Sequence, residues 1–76
     1  MGETLLNLRG LKCPLPALKL RKELTRIAAG AEIVAECTDP LAAIDIPNLI
    51  RQTGDTIVET RREADILVFR IRKAGG

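Results

Sequence analysis

The spacing of apolar residues changes period several times along the chain, and each change marks an element. Leu5 to Arg9 forms a short first strand. From Pro16 to about Ala28 the residues Ala17, Leu20, Leu24 and Ile27 recur at intervals of three, four and three, which lines one face of a helix. Gly30 is placed to end it. Glu32 to Thr38 alternates instead, with Ile33, Ala35 and Cys37 on one side and Glu32, Val34 and Glu36 on the other, the pattern of a strand. Thr38 or Asp39 then caps a helix opened by Pro40. Pro47 cannot continue a helical hydrogen-bond ladder, so a break is expected at Asp45-Ile46-Pro47, with Asp45 as a cap for the second half and Gly54 stopping it after Thr53. Thr56 to Thr60 reads as a third strand, Arg61 to Asp65 as a turn, and Ile66 to Arg72 as a fourth strand with Leu67, Phe69 and Ile71 on one face.

The order strand, helix, strand, helix, strand, strand constrains the architecture. Two strand-helix-strand units require right-handed crossovers between parallel strands, and the short turn after Thr60 requires an antiparallel hairpin. Both helices then cover one face of a mixed four-stranded sheet, giving an α/β two-layer sandwich of β-α-β-α-β-β order. No linker or repeat divides residues 1–76, so a single domain is expected. A domain of this length buries only about 60% of the surface its unfolded chain exposes, so its core is small.

Chemistry concentrates at Cys13, in the run Leu11-Lys12-Cys13-Pro14-Leu15-Pro16 between the first strand and the first helix. Pro14 pushes Cys13 toward extended dihedrals, and Pro16 suits the first helical turn, where its missing N–H costs nothing. A thiol just before a helix N-terminus faces unpaired N–H groups and the positive end of the dipole, which favour a thiolate or a terminal persulfide. Lys12 and Lys19 are candidates for lowering its pKa further. The chain has no His, Ser, Tyr or Trp, so Cys13 has no imidazole partner and Cys-His hydrolysis is excluded within one chain. Exchange chemistry, accepting and passing on sulfur, needs only an accessible thiolate. Two cysteines without the look of a secreted scaffold read as free thiols in a reducing compartment. Met1-Gly2-Glu3-Thr4 lacks the basic and apolar regions of a leader, and Leu6 stands where a myristoylation pattern needs Ser or Thr. No apolar run approaches the roughly 18 residues of a membrane span, so the cytoplasm is the expected location and no membrane association is expected.

These residues carry a resemblance. The stretch Leu8-Arg9-Gly10-Leu11-Lys12-Cys13-Pro14-Leu15-Pro16 resembles the signature of the TusA/SirA-like sulfur-carrier family, whose Cys-Pro-x-Pro motif opens the first helix. Thr38-Asp39-Pro40, Asp45-Ile46-Pro47 and the basic ending Arg70-Ile71-Arg72-Lys73 are similar to that family in order and spacing, so the likeness covers nearly the whole chain. The resemblance implies strand order one, two, four, three. It also implies that Cys13 accepts persulfide sulfur from a cysteine desulfurase or rhodanese and relays it to an acceptor protein, for tRNA thiolation, molybdenum cofactor or sulfur oxidation pathways. No dissociable cofactor is expected.

Charge points independently to a protein partner. Lys12, Lys19, Arg21, Lys22 and Arg26 stand against Glu23 alone, which concentrates basicity on the Cys13 helix of a chain whose net charge is +2. Leu18, Lys19, Lys22 and Arg26 point away from the buried helix face, a candidate docking surface for an acidic partner; the competing reading is an ordinary solvated face. Cys37 shares the phase of Ile33 and Ala35 and is expected in the core. A zinc site from Cys13, Cys37 and Asp39 has too few soft ligands to be expected. Two other classes stay open. Gly75-Gly76 is the ending of ubiquitin-like carriers that work through a C-terminal thiocarboxylate, although the helix-containing strand order opposes that fold. A nucleic-acid-binding or regulatory module, with Cys13 only a helix cap, would suit the basic helix, but Phe69 is the one aromatic and single-strand readers stack bases on aromatics, so direct nucleic-acid binding is not expected.

Overall fold

Four strands and two helices form in the expected order in the computed structural model, which describes residues 3–74: β1 (Glu3–Leu8), α1 (Leu15–Leu24), β2 (Glu32–Cys37), α2 (Ala42–Thr53), β3 (Thr56–Glu63) and β4 (Ile66–Arg72). The sheet order is β1-β2-β4-β3, with β1 parallel to β2 and β4 antiparallel to both β2 and β3. The result is an α/β sandwich, a mixed sheet with both helices packed against it.

Alternation sorts each strand between two environments. Ile33, Ala35 and Cys37 lie opposite Ile71, Phe69 and Leu67, and these side chains meet Leu20, Leu24, Ala42, Ile46, Leu49 and Ile50 from the helices in one buried cluster. Leu20, Ile33, Ile46 and Ile71 are fully buried. Each such side chain contributes roughly 1.5–3 kcal/mol of transfer free energy, the main favourable term in a domain this small. Ala17 and Ile27 pack at the edge of the cluster, so the expected helical face is the one that packs.

The opposite sheet face carries a network of charge beside the apolar Leu5, Val34 and Val68. Glu32 on β2 accepts from Arg70 at 2.9 Å and from Arg72 at 2.9 Å on β4; Arg70 also pairs with Glu3 of β1 and lies 3.9 Å from Glu59 of β3. One arginine thus ties all four strands together, and the two guanidinium groups hold the Glu32 carboxyl below its ordinary value of 4.5.

β1 runs from Glu3 to Leu8 and α2 begins at Ala42, two residues from the expected Leu5 and Pro40, and three larger departures concern α1, the middle of α2 and β3. α1 stops at Leu24 instead of running to Ala28, and Gly30 lies in the following loop. The Leu24 carbonyl that would continue the helix accepts instead from Lys73 Nζ at 2.6 Å, and the Thr25 hydroxyl takes the Lys22 carbonyl. α2 is not interrupted at Asp45-Ile46-Pro47, so Asp45 caps no second half. Ile46, Leu49 and Ile50 are buried on both sides of Pro47, and that packing outweighs one lost hydrogen bond. β3 extends to Glu63, placing Arg61 and Arg62 in the strand opposite Val68 and Leu67; only Ala64 and Asp65 make the turn, with Ala64 in the left-handed region. An irregularity between Ile57 and Glu59 shifts the alternation of this edge strand and hides its length from a period-two reading.

A group whose folded pKa is depressed contributes stability above its unfolded pKa and loses it as pH falls through the folded value. Thermal melting should therefore show Glu32→Gln less stable than the native chain at pH 7, with the gap closing on acidification below about pH 4.5. A gap that persists undiminished at pH 2.5 would mean that Glu32 acts through packing and not through its charge.

Candidate functional site

Parallel pairing of β1 with β2 sets Leu8 beside Cys37, so the loop after β1 and the loop after β2 emerge together at the C-terminal edge of the sheet. They are stitched side by side. Gly10, with φ of +81°, turns the first loop and donates its N–H to Thr38 Oγ1 at 2.8 Å. The Cys13 N–H donates to Asp39 Oδ2 at 2.5 Å, and the other oxygen of the same carboxylate accepts from the Leu41 N–H at 3.1 Å. Asp39 therefore closes a turn just ahead of α2, whose cap position is Leu41 with no side-chain cap bond, so the expected capping by Thr38 or Asp39 is not found; Asp39 also fixes the backbone of Cys13, which the sequence does not show.

Pro14 and Pro16 frame the entry to α1 as expected. The Cys13–Pro14 peptide is cis, Pro14 is the cap residue, and Pro16 is buried within the first turn. Leu15 donates to the Lys12 carbonyl at 2.8 Å and Leu18 to the Pro14 carbonyl at 3.1 Å, so no proline is asked for a hydrogen it lacks. Cys13 is left exposed at the mouth of a groove of about 260 Å³ between α1 and α2, lined by Ala17, Leu18 and Arg21 on one side and Asp45, Leu49 and Gln52 on the other. Cys37 is buried beneath the helices, in the core as its phase predicts.

The electrostatics of the thiol differ from the sequence expectation. Cys13 is pushed above its ordinary 9.0, first by its hydrogen bond to the Asp45 side chain, then by desolvation and by the negative charges of Asp45 and Asp39. Lys12 and Lys19 do not offset these carboxylates. In the free protein these carboxylates thus oppose the thiolate stabilisation expected from the helix end, Lys12 and Lys19. Burial, with the charge of Asp39, pushes Cys37 up to about 11.

Leu18 is 54% exposed, and Lys19, Lys22 and Arg26 are exposed beside it, as the helical wheel requires. Leu15, Leu41 and Ile44 are exposed too, so the first turns of both helices present apolar side chains where the Cys13 loop joins them. Sequence reasoning missed Leu41, Ile44 and the place of Asp45 beside the thiol; the only signal for the last was its membership of the Asp45-Ile46-Pro47 motif.

Comparison with known proteins gives the family. Residues 4–73 match the profile described as Sulfurtransferase TusA. The chain is 33% identical over 69 residues to the sulfur carrier protein TusA of Allochromatium vinosum, covering 91% of each chain. It is 32% identical over 71 residues to that of Pseudomonas aeruginosa, covering 93% of this chain and 90% of the relative. The sulfur carrier protein TusA of Pseudomonas putida is 30% identical over 71 residues, with 93% and 89% covered. The chain belongs to the TusA/SirA-like family of sulfur carriers.

Alkylation with iodoacetamide as a function of pH checks the two thiols. Cys13 should react in the folded protein with a midpoint above 9.0, and Cys37 should react only after unfolding. A Cys13 midpoint well below 9.0 would restore the lysine-activated thiolate.

Proposed function

We propose that this protein carries sulfur as a persulfide on Cys13, taking it from a cysteine desulfurase or a rhodanese and passing it to an acceptor protein in tRNA thiolation, molybdenum cofactor assembly or sulfur oxidation. The observation that supports this reading is the contrast between the two thiols: Cys13 is exposed and backbone-anchored at the mouth of a groove, while Cys37 is sealed in the core. In the receiving step Cys13 Sγ bonds to the outer sulfur of the donor's persulfide and the donor's S–S bond breaks. The electron pair of that bond leaves with the donor's cysteine sulfur, which takes the proton that Cys13 gives up. No external oxidant is needed and no cofactor of the carrier enters. A reducing cytoplasm suits such a thiol. Among the described residues no helix is long and apolar enough to cross a membrane.

The exposed Leu18, Lys19, Lys22 and Arg26 beside Cys13 provide an apolar contact ringed by cations, which suits an acidic donor or acceptor surface. The nucleic-acid reading loses its stacking platform, because Phe69 is buried in the core. Gly75-Gly76, the basis of the thiocarboxylate alternative, lies outside the described residues.

Incubation with cysteine, a desulfurase and its pyridoxal cofactor should add the mass of one sulfur atom to the Cys13 peptide, removable by a thiol reductant. Cys13→Ser should abolish the adduct, and Cys37→Ala should leave it. Reversal of Lys19, Lys22 and Arg26 to Glu should slow labelling at low salt and much less at high salt. A reductant-resistant sulfur on Gly76, or no label with several competent donors, would overturn the proposal.

A further inference from the structure

The groove beside Cys13 has acid at one end and base at the other. α1 and α2 each connect parallel strands and so run in the same direction, and groove residues pair off along them: Cys13 and Asp45 at the mouth, Arg21 and Gln52 two turns on. Seven residues separate Asp45 from Gln52, roughly 10 Å of helix axis. Asp45 is half-buried, and among the described residues it pairs with no lysine or arginine. The two oxygens of Asp39 are already occupied by the amides of Leu41 and Cys13. Asp45 is thus the one carboxylate at the thiol with capacity to spare, in a groove walled by the exposed apolar Leu18.

We propose that Asp45 receives a cationic side chain, a lysine or arginine, that the sulfur-exchanging partner protein presents beside its own reactive cysteine. The complementary partner then has two features: an acidic surface facing Lys19, Lys22 and Arg26, and a single base next to its sulfur. This deepens the sulfur-carrier reading and rests on it. Pairing would neutralise a charge that disfavours the Cys13 thiolate, so the thiol ionises more readily when the correct partner docks than in the free protein. The sign is diagnostic, because the net charge of +2 and the neighbouring Lys12 would by themselves draw an anion to Cys13.

Thiol–disulfide exchange with charged probes reads this field directly. Cys13 Sγ bonds to one sulfur of a symmetric disulfide, the probe's S–S bond breaks, and the released half takes up the Cys13 proton. Cystamine, hydroxyethyl disulfide and dithiodiglycolate carry positive, zero and negative charge. At low salt cystamine should modify Cys13 about tenfold faster than dithiodiglycolate, with the neutral probe between, and the ratio should shrink at 1 M salt. Asp45→Asn should abolish or invert the preference, and Asp45→Glu should keep it. Circular dichroism confirms that each variant is folded; if Asp45→Asn is not, the native salt series and Asp45→Glu decide. An anionic probe reacting as fast as cystamine in the native chain, or an Asp45→Asn protein that keeps the cationic preference, would overturn the proposal. Failure of persulfide labelling with the charge preference intact would remove the carrier reading; equal probe rates with labelling intact would remove the role of Asp45 alone.

Discussion

One carboxylate holds the site together. Asp39 stands where the chain leaves β2, and its two oxygens accept from the Leu41 amide just ahead of α2 and from the backbone of Cys13. Hydrogen bonds to a charged acceptor each contribute about 1.5–3 kcal/mol. The bond to Cys13 spans 26 residues of sequence and joins two loops that the parallel pairing of β1 and β2 has already brought side by side. Thr38 adds a second stitch to Gly10. The position of the thiol is therefore a property of the sheet topology: without β1 beside β2 there is no Asp39 within reach, and the Cys13 loop has only its prolines to shape it.

The two faces of the sheet divide the work. On the helix side, apolar burial builds the core and sets both helices starting at the same edge, which makes the groove and puts Cys13 at its mouth. On the other side, Arg70 and Arg72 bind Glu3, Glu32 and Glu59, so a face that no helix covers is dressed in paired charge. Such pairing satisfies the charges of that face internally, while among the described residues Lys19, Arg21 and Lys22 of α1 meet no carboxylate and Arg26, just beyond the helix, lies 3.8 Å from Glu23. Unpaired cations are thus concentrated on the helix that follows the thiol.

Most of the fold was legible because it depends on local period. The alternation of β2 and the face of Leu20 and Leu24 gave the core, and with it the burial of Cys37. What was hidden depends on residues distant in sequence. Pro47 reads as a break by a local rule, but the burial of Ile46, Leu49 and Ile50 overrides it. α1 reads as longer than it is because Lys73, forty-nine residues on, takes the Leu24 carbonyl. The same limit governs the thiol. A reading along the chain sees Lys12 and Lys19 and expects an activated thiolate, whereas folding brings Asp39 and Asp45 to Cys13 and reverses the direction. Position and exposure of Cys13 were readable in the motif; the carboxylates around it were not.

The dependence of the site on Asp39 is tested most directly by amide hydrogen exchange, followed by NMR, in the native chain and in Asp39→Ala. Cys13 and Leu41 amides should lose protection together in the variant, because one carboxylate serves both. The amides of β2 and β4 at Ile33, Ala35 and Ile71 should keep theirs, since the core does not use Asp39. A Cys13 amide that exchanges at the same rate in both proteins would contradict the account, as would loss of protection at Leu41 alone.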